Sequence, residues 1–226
     1  MLSFTKIIQK GSCMTSVQFR QKPDFLRNTY PLTEKGFPII KAQSIPKITK
    51  MLAYTDVVPN DEMAKQENIL IHFFKDDIKF ETLYKNPYKK STRRKVLQLV
   101  QYSAVCTPDY SLYPEMPEPI QRMQVFKNRW CGAHWQELGI LVIPTISWSN
   151  ERSFDFCFDG VPQYSTVAIS VLGCKNSKQE FILGYRRMLE VLRPRQIICY
   201  GEPFDEIKET NVISFPYRAF RKKVSV

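Results

Sequence analysis

Three apolar runs rich in β-branched residues, each ending directly in polar or turn residues, constrain the fold of this chain most. They cover residues 100–106, 140–146 and 166–172. An amphipathic segment at 118–138 separates the first two, and a second at 178–192 leads into another β-rich run at 196–200. This alternation is typical of parallel strands joined by crossover helices. The sequence therefore predicts an α/β fold with a mostly parallel sheet, either open or an incomplete (β/α) barrel.

The two long helices are predicted to pack on the sheet through apolar stripes with a spacing of three or four residues. The first stripe comprises Ile120, Met123, Phe126, Trp130, Ala133 and Leu138. The second comprises Phe181, Tyr185, Met188, Leu189 and Leu192. Two further β-rich runs, at 68–74 and 211–215, are candidates for additional strands.

The basic residues are unevenly placed along the chain, whose net charge is +11. Residues 1–50 carry 9 Lys and Arg against 2 Asp and Glu, with several Pro and Gly breaks. This composition predicts an irregular basic N-terminal arm at 1–44 and an α/β core domain at 45–226. The densest basic cluster, KKSTRRK at 89–95, is expected on the surface, leading into a strand at 96–106.

Basic residues interleaved with aromatic ones suit single-stranded nucleic acid, because bases stack on rings while phosphates meet cations. The candidate nucleic-acid-binding residues are Arg20, Lys22, Arg27, Lys89, Lys90, Arg93, Arg94 and Lys95. The alternative is that the arm aromatics Tyr30 and Phe37 pin the arm to its own core, and that the charges form a solvated face.

Parallel strands bring the residues that follow them to one edge of the sheet, where ligands bind in such folds. The candidate catalytic residues there are Asp109, Ser111, Arg129, Glu151, Asp159 and Glu202, with Asp76 or Asp77 nearby. Carboxylates near a cation can hold a divalent metal or divide into a general acid and a general base. Asp109 is the principal candidate, although a carboxylate after Pro108 is also typical of a simple turn.

Several functional classes are not indicated. The sequence has no GxGxxG, GxxxxGK[ST], HExxH or GxSxG motif, and no cofactor is assigned. His72 and His134 are far apart without a third ligand, so no metal site is predicted. The six cysteines are widely spaced and are expected to be free thiols of a reducing compartment. No apolar run is long enough to span a bilayer, which predicts a cytoplasmic protein with no membrane partner.

A family resemblance is carried by four segments: PDYSLYPEMP (108–117), NRWCGAHWQELGI (128–140), 142–170 and 173–175. The order and spacing of D-[YF]-S, N-R, W, F-D-G and a final G resemble a domain-of-unknown-function family of bacteria, phages and mobile elements. The resemblance covers roughly residues 45–205. It implies a phage or mobile-element setting and supplies no activity or catalytic residue.

Three functional hypotheses follow from these observations. The first is a phage or mobile-element accessory protein that binds nucleic acid through its basic surface. The second is an enzyme that acts on a small phosphorylated or nucleotide-like ligand at the carboxyl ends of the strands. The third is a phage inhibitor that binds a host protein.

Overall fold

The structure is a computed structural model that describes residues 27, 30–207 and 211–217. Its strands are β1 (Lys50–Ala53), β2 (Ile69–His72), β3 (Ala104–Cys106), β4 (Val142–Ile143), β5 (Thr166–Ser170), β6 (Gln196–Tyr200) and β7 (Val212–Phe215). Its α-helices are α1 (Glu62–Gln66), α2 (Glu81–Lys85), α3 (Lys90–Gln98), α4 (Glu118–Glu137) and α5 (Lys178–Leu192). The predicted α/β class is confirmed, and both long helices lie where the sequence places them.

All the strands pair in parallel and in chain order. β1 to β4 form one sheet, and β5 to β7 form another. A parallel bridge between Thr145 and Ala168 joins the two. In this bridge the amide of Ile146 donates to the Ala168 carbonyl at 2.8 Å, and the amide of Ala168 donates to the Pro144 carbonyl at 2.9 Å. The arrangement is therefore a single run of strands, β1 to β7, with each strand beside its sequence neighbours.

This run of strands is curled into an incomplete barrel. In a flat sheet β2 and β6 would lie about 19 Å apart, since adjacent strands are spaced by about 4.8 Å. Instead the ring of Tyr200, the last residue of β6, lies 4.3 Å from the ring of His72 and 5.2 Å from that of Phe74. Within the described residues β1 and β7 do not pair with each other, so the barrel is not closed.

The two faces of the curled sheet bury different residues, as the twofold alternation of a strand requires. On β6, Ile198 and Tyr200 face the inner core, where they join residues of β1 to β4. Ile197 and Cys199 face the opposite way and pack in the same cluster as α5. α5 buries Phe181, Tyr185, Met188 and Leu192, as predicted.

The predicted stripe of α4 is wrong at its N-terminal end. Ile120 is 51% exposed and Met123 is 43% exposed, whereas Trp130 is fully buried. The helix instead buries the polar side chains of Gln121, Asn128 and Arg129. These side chains form hydrogen bonds with neighbouring loops. Because their polar groups have partners, this face of α4 can be buried.

The described part of the N-terminal arm packs on the core. Phe37 and Ile40 are buried, and the amide of Ile40 donates to the Gly160 carbonyl at 2.8 Å. Gly160 has a φ of +76°, and a Cβ there would lie 2.4 Å from the Pro38 carbonyl oxygen. Only glycine therefore allows this close contact between residues 37–40 and the loop at 160.

Candidate nucleic-acid interface

The basic cluster at 89–95 forms α3, and the prediction that it leads into a strand at 96–106 is wrong. α3 spans Lys90–Gln98, and the strand that follows covers only Ala104–Cys106. Thr92 and Val96 are buried on one face of α3, and Leu99 continues this face. The spacing of four and three residues is helical, and Lys and Arg are good helix formers.

The opposite face of α3 is strongly positive. Lys89, Lys90, Arg93, Arg94 and Lys95 are all exposed. Within the described part of the chain none of these five side chains forms an ion pair. The first turn of α3 contains no acidic residue, so Lys89 and Lys90 add their charge to the positive end of the helix dipole. An unneutralised patch of this kind attracts polyanions.

A groove of about 570 Å³ runs beside this face. It is lined by Pro59 and Asn60 from the turn after β1, by Tyr88, and by Lys90, Arg93 and Arg94. Leu97, Gln98 and Gln101 complete its lining. The groove therefore combines an aromatic ring, three cations and amide groups, which is the chemistry that binds nucleic-acid strands.

The cations predicted in the N-terminal arm have different positions. Arg20 and Lys22 lie outside the described residues. Arg27 is 2% exposed, and its guanidinium carbon lies 3.6 Å from the centroid of the Tyr84 ring. It also donates a hydrogen bond to the Tyr84 carbonyl. Arg27 is thus packed inside the fold, away from any surface that a phosphate reaches.

At the carboxyl edge of the sheet, the structure brings Asp109 together with Asp77 and Ser147. Asp109 is half-buried, and Ser147 hydrogen-bonds to its carboxyl group. Burial, reinforced by the negative charge of Asp77, raises the pKa of Asp109 to about 7. Asp109 therefore changes its protonation state near neutral pH, as a general acid or base does.

Asp77 is held in place by several donors. It accepts hydrogen bonds from the amide and hydroxyl of Ser111, at 3.2 and 3.0 Å, and from Nε2 of Gln124 at 3.1 Å. Gln124 in turn accepts from Lys127, which forms an ion pair with Glu81 at 2.8 Å. Asp77 is therefore fixed in an ordered polar network at this edge of the sheet.

The other predicted edge residues lie elsewhere. Arg129 is 2% exposed and donates to the carbonyls of Asp159, Cys157 and Thr145 at 2.8, 2.6 and 3.2 Å. Its role is to tie loops together, and burial lowers its pKa to about 10.

Asp159 is partly buried, which raises its pKa, and its charged neighbours are Lys35, Asp155, Arg129 and Arg122. These groups belong to a cluster separate from that of Asp77 and Asp109. Glu151 and Glu202 are exposed, and within the described residues neither forms a hydrogen bond or an ion pair.

Reasoning from sequence misses three elements of these sites. Tyr88 is not among the candidates, although it adjoins the basic cluster, and the turn at 59–60 lies too far along the chain to be linked to it. Ser147 is not among the candidates either. Its position after an apolar run was the available signal.

The structure thus defines a curled, all-parallel α/β protein with an exposed basic groove. Residues 35–218 match the family described as "Domain of unknown function (DUF4417)", and the chain belongs to this family. The predicted resemblance is confirmed. The match begins ten residues before the predicted start of the core at 45.

Two phage proteins are similar to this chain. It is 40% identical over 154 residues to the Gene 1 protein of Mycobacterium phage L5, across 67% of this chain and 65% of that protein. It is 37% identical over 179 residues to the Gene 1 protein of Mycobacterium phage D29, across 78% of this chain and 64% of that protein. The chain thus spans slightly less than two thirds of the length of these two relatives. No solved structure matches it. The protein is phage-related.

Two further findings concern chemistry that the sequence analysis considered. Within the described residues, no three His, Cys, Asp or Glu side chains are grouped so as to hold a metal ion. No helix among these residues has the length and apolar character needed to cross a membrane. Cys106, Cys131, Cys157, Cys174 and Cys199 are free thiols, and all except Cys174 are buried.

Proposed function

We propose that this phage-related protein binds nucleic acid through α3 and the groove beside it. The observation that carries the proposal is the exposed row of five cations on α3, for which the described residues supply no counter-charge. Most of the binding energy of a nucleic-acid interface comes from neutralising phosphates, which releases condensed counterions. A surface that is already neutralised by its own carboxylates gains little in this way.

Size also supports the groove as a binding site. The groove measures about 570 Å³. Pockets that bind small ligands usually measure about 300–1,000 Å³. The groove therefore has the room that a nucleotide unit needs.

The test measures binding of fluorescent DNA and RNA oligonucleotides by anisotropy at several salt concentrations. Each neutralised phosphate contributes about 0.7 to the slope of log affinity against log salt on single strands. Replacing Lys89, Lys90, Arg93, Arg94 and Lys95 with Gln should flatten this slope by about 2 to 3 and weaken binding to every sequence.

A matched control removes the same number of exposed charges elsewhere. It replaces Lys41, Lys47, Lys75, Lys79 and Arg186 with Gln. We expect the control to bind more tightly than the α3 variant and to retain a steeper slope. Equal losses of affinity in the two variants would show that binding depends on net charge and not on α3. A parent protein that binds no nucleic acid at low salt would contradict the proposal.

A second candidate function, an acid–base reaction on a small ligand at the carboxyl edge, is favoured by Asp109. Its pKa of about 7 and its contact with Ser147 are typical of a group that transfers protons. The carboxylate of Asp77 beside it disfavours a phosphorylated ligand, since like charges repel. An uncharged or cationic ligand fits this edge better.

The second candidate is tested by thermal-shift measurements with a panel of nucleosides, nucleotides, sugars and amines at pH 6 and pH 8. A compound that stabilises the parent but not the Asp109→Asn variant would support it. The absence of any shift across the panel in the parent would count against it.

A further inference from the structure

We propose that the groove beside α3 accommodates a single strand, with an unstacked base against Tyr88 and the flanking phosphates against Lys90, Arg93 and Arg94. This inference rests on the proposed function and specifies the form of nucleic acid that the interface recognises. It depends on three features: the shape of the site, the support behind Tyr88 and the placement of the cations.

The shape of the site disfavours a duplex. A protein that reads double-stranded DNA inserts a protruding helix or ribbon into a major groove about 12 Å wide. Here the cations line a concavity of about 570 Å³ instead of a ridge. The bases of a duplex are stacked inside it and do not enter such a depression, whereas a single strand can turn one base into it.

Tyr88 is suited to stack on a base. Its side chain lines the groove and the residue is 46% exposed. Its ring meets the ring of His134 edge-on, with the centroids 6.0 Å apart. His134 stacks on the buried Trp130 at 4.8 Å, and its Nδ1 lies 2.9 Å from the Tyr30 hydroxyl. The aromatic ring at the groove is thus braced by two rings behind it and loses little freedom when a base binds.

This brace does not change its charge at physiological pH. Burial, together with the positive charge of Arg93, lowers the pKa of His134 to about 4. The imidazole is therefore neutral, and its edge-on contact with Tyr88 and its stacking on Trp130 are the same from pH 6 to pH 8.

The cations are divided between the groove and its surroundings. Lys90, Arg93 and Arg94 are related by helical spacings of three and four residues, which place them on one face of α3. All three line the groove, whereas Lys89 and Lys95 do not. The same short segment therefore contains cations that should contact a strand in the groove and cations of similar exposure that should not.

The experiment compares a fluorescent 20-nucleotide single strand, prepared as DNA and as RNA, with the matching duplexes. The parent should bind the single strands at least tenfold more tightly than the duplexes (roughly the contribution of one or two stacked bases). Tyr88→Leu should lose about tenfold on single strands and little on duplexes, while Tyr88→Phe should retain the parent affinity.

A charge-matched pair of variants tests the placement of the cations. Arg93→Gln with Arg94→Gln should weaken single-strand binding more than Lys89→Gln with Lys95→Gln, although each variant loses two charges. Circular dichroism and melting curves establish that all variants are folded.

The outcomes separate this inference from the proposal beneath it. If the parent binds no nucleic acid, the proposed function fails. If it binds but prefers duplexes, binds both forms equally, or loses no affinity with Tyr88→Leu, only the single-strand inference is overturned. Equal losses in the two charge pairs would likewise overturn it.

Discussion

α3 and α4 use arginine in opposite ways. On α4, Arg129 is 2% exposed, and its guanidinium group donates to three backbone carbonyls of the loops at 145 and 157–159. On α3, Arg93 and Arg94 are exposed and, within the described residues, have no acidic partner. One helix uses its cation to complete the fold, and the other leaves its cations available to a ligand.

The comparison shows that a net charge does not measure a binding surface. Arg27 and Arg129 contribute to the count of basic residues, yet both are buried and donate hydrogen bonds to backbone carbonyls inside the protein. Lys127 is neutralised by Glu81. The charge that a polyanion meets is therefore set by which cations lack internal partners.

Among the substitutions that test this contrast between buried and exposed arginines, Arg129→Met is expected to have the largest effect on stability. Methionine fills similar volume but removes the guanidinium donor of the Asp159 and Cys157 carbonyls, while Thr145 and Asn128 each keep a second donor. A buried acceptor left without its donor costs about 1–3 kcal/mol, so the two carbonyls together cost about 2–6 kcal/mol. Urea denaturation should show a fall of this size in the free energy of unfolding.

The control for Arg129→Met is Arg122→Met on the same helix. Arg122 is partly exposed and pairs with Glu118 and Asp155 at the surface. Surface ion pairs contribute little to stability. Similar losses in the two variants would show that Arg129 is not specifically required by the fold.

Asp109→Asn should have an intermediate effect that depends on pH. The pKa of Asp109 is about 7 in the folded protein, against 3.8 for an unperturbed aspartic acid. Between these values the folded state binds a proton that the unfolded state does not, so the parent loses stability as the pH rises from about 4 to 7. Above pH 7 both states are ionised, and the full cost of the buried charge is present.

We therefore expect Asp109→Asn to be more stable than the parent by about 1–3 kcal/mol at pH 8 and nearly equal to it at pH 4. Melting curves at both pH values measure this difference. A variant that is less stable than the parent at pH 8 would identify Asp109 as a turn-forming carboxylate instead of a candidate functional group.

The smallest change in stability is expected for Arg93→Gln combined with Arg94→Gln. Both side chains are exposed without an ion pair in the described part of the chain, and surface changes of this kind usually alter stability by less than about 0.5 kcal/mol each. A slight gain would agree with relief of repulsion among the neighbouring cations. If urea denaturation showed a fall of more than about 2 kcal/mol in the free energy of unfolding, Arg93 and Arg94 would be structural residues like Arg129.

The sequence predicts the architecture well because the apolar runs and helical stripes are local patterns. The parallel pairing of β2 to β7 and the bounds of α5 follow from them directly. The stripe predicted for α4 is wrong at Ile120 and Met123 because hydrophobic spacing does not show that α4 also buries polar residues such as Asn128. That residue is buried through hydrogen bonds to Thr107 and Pro108, which lie 21 and 20 residues away.

The candidate sites are less predictable because they depend on contacts between distant segments. Asp109 and its neighbour Asp77 could be expected at one edge, since both follow parallel strands. The groove could not be expected, because the turn at 59–60 meets α3 only through the tertiary fold. Glu151 and Asp159 are separated from the end of β4 by a long segment, whereas Glu202 closely follows β6 but is exposed.

The agreement between strand order and chain order has a consequence for how the protein is made. Each strand from β2 onward pairs with the strand that precedes it, so its template has already left the ribosome when it emerges. The sheet can grow by one strand at a time, with a single crossover segment to close at each step. Contacts across the barrel, such as Tyr200 with His72, are then formed last and report the completion of folding.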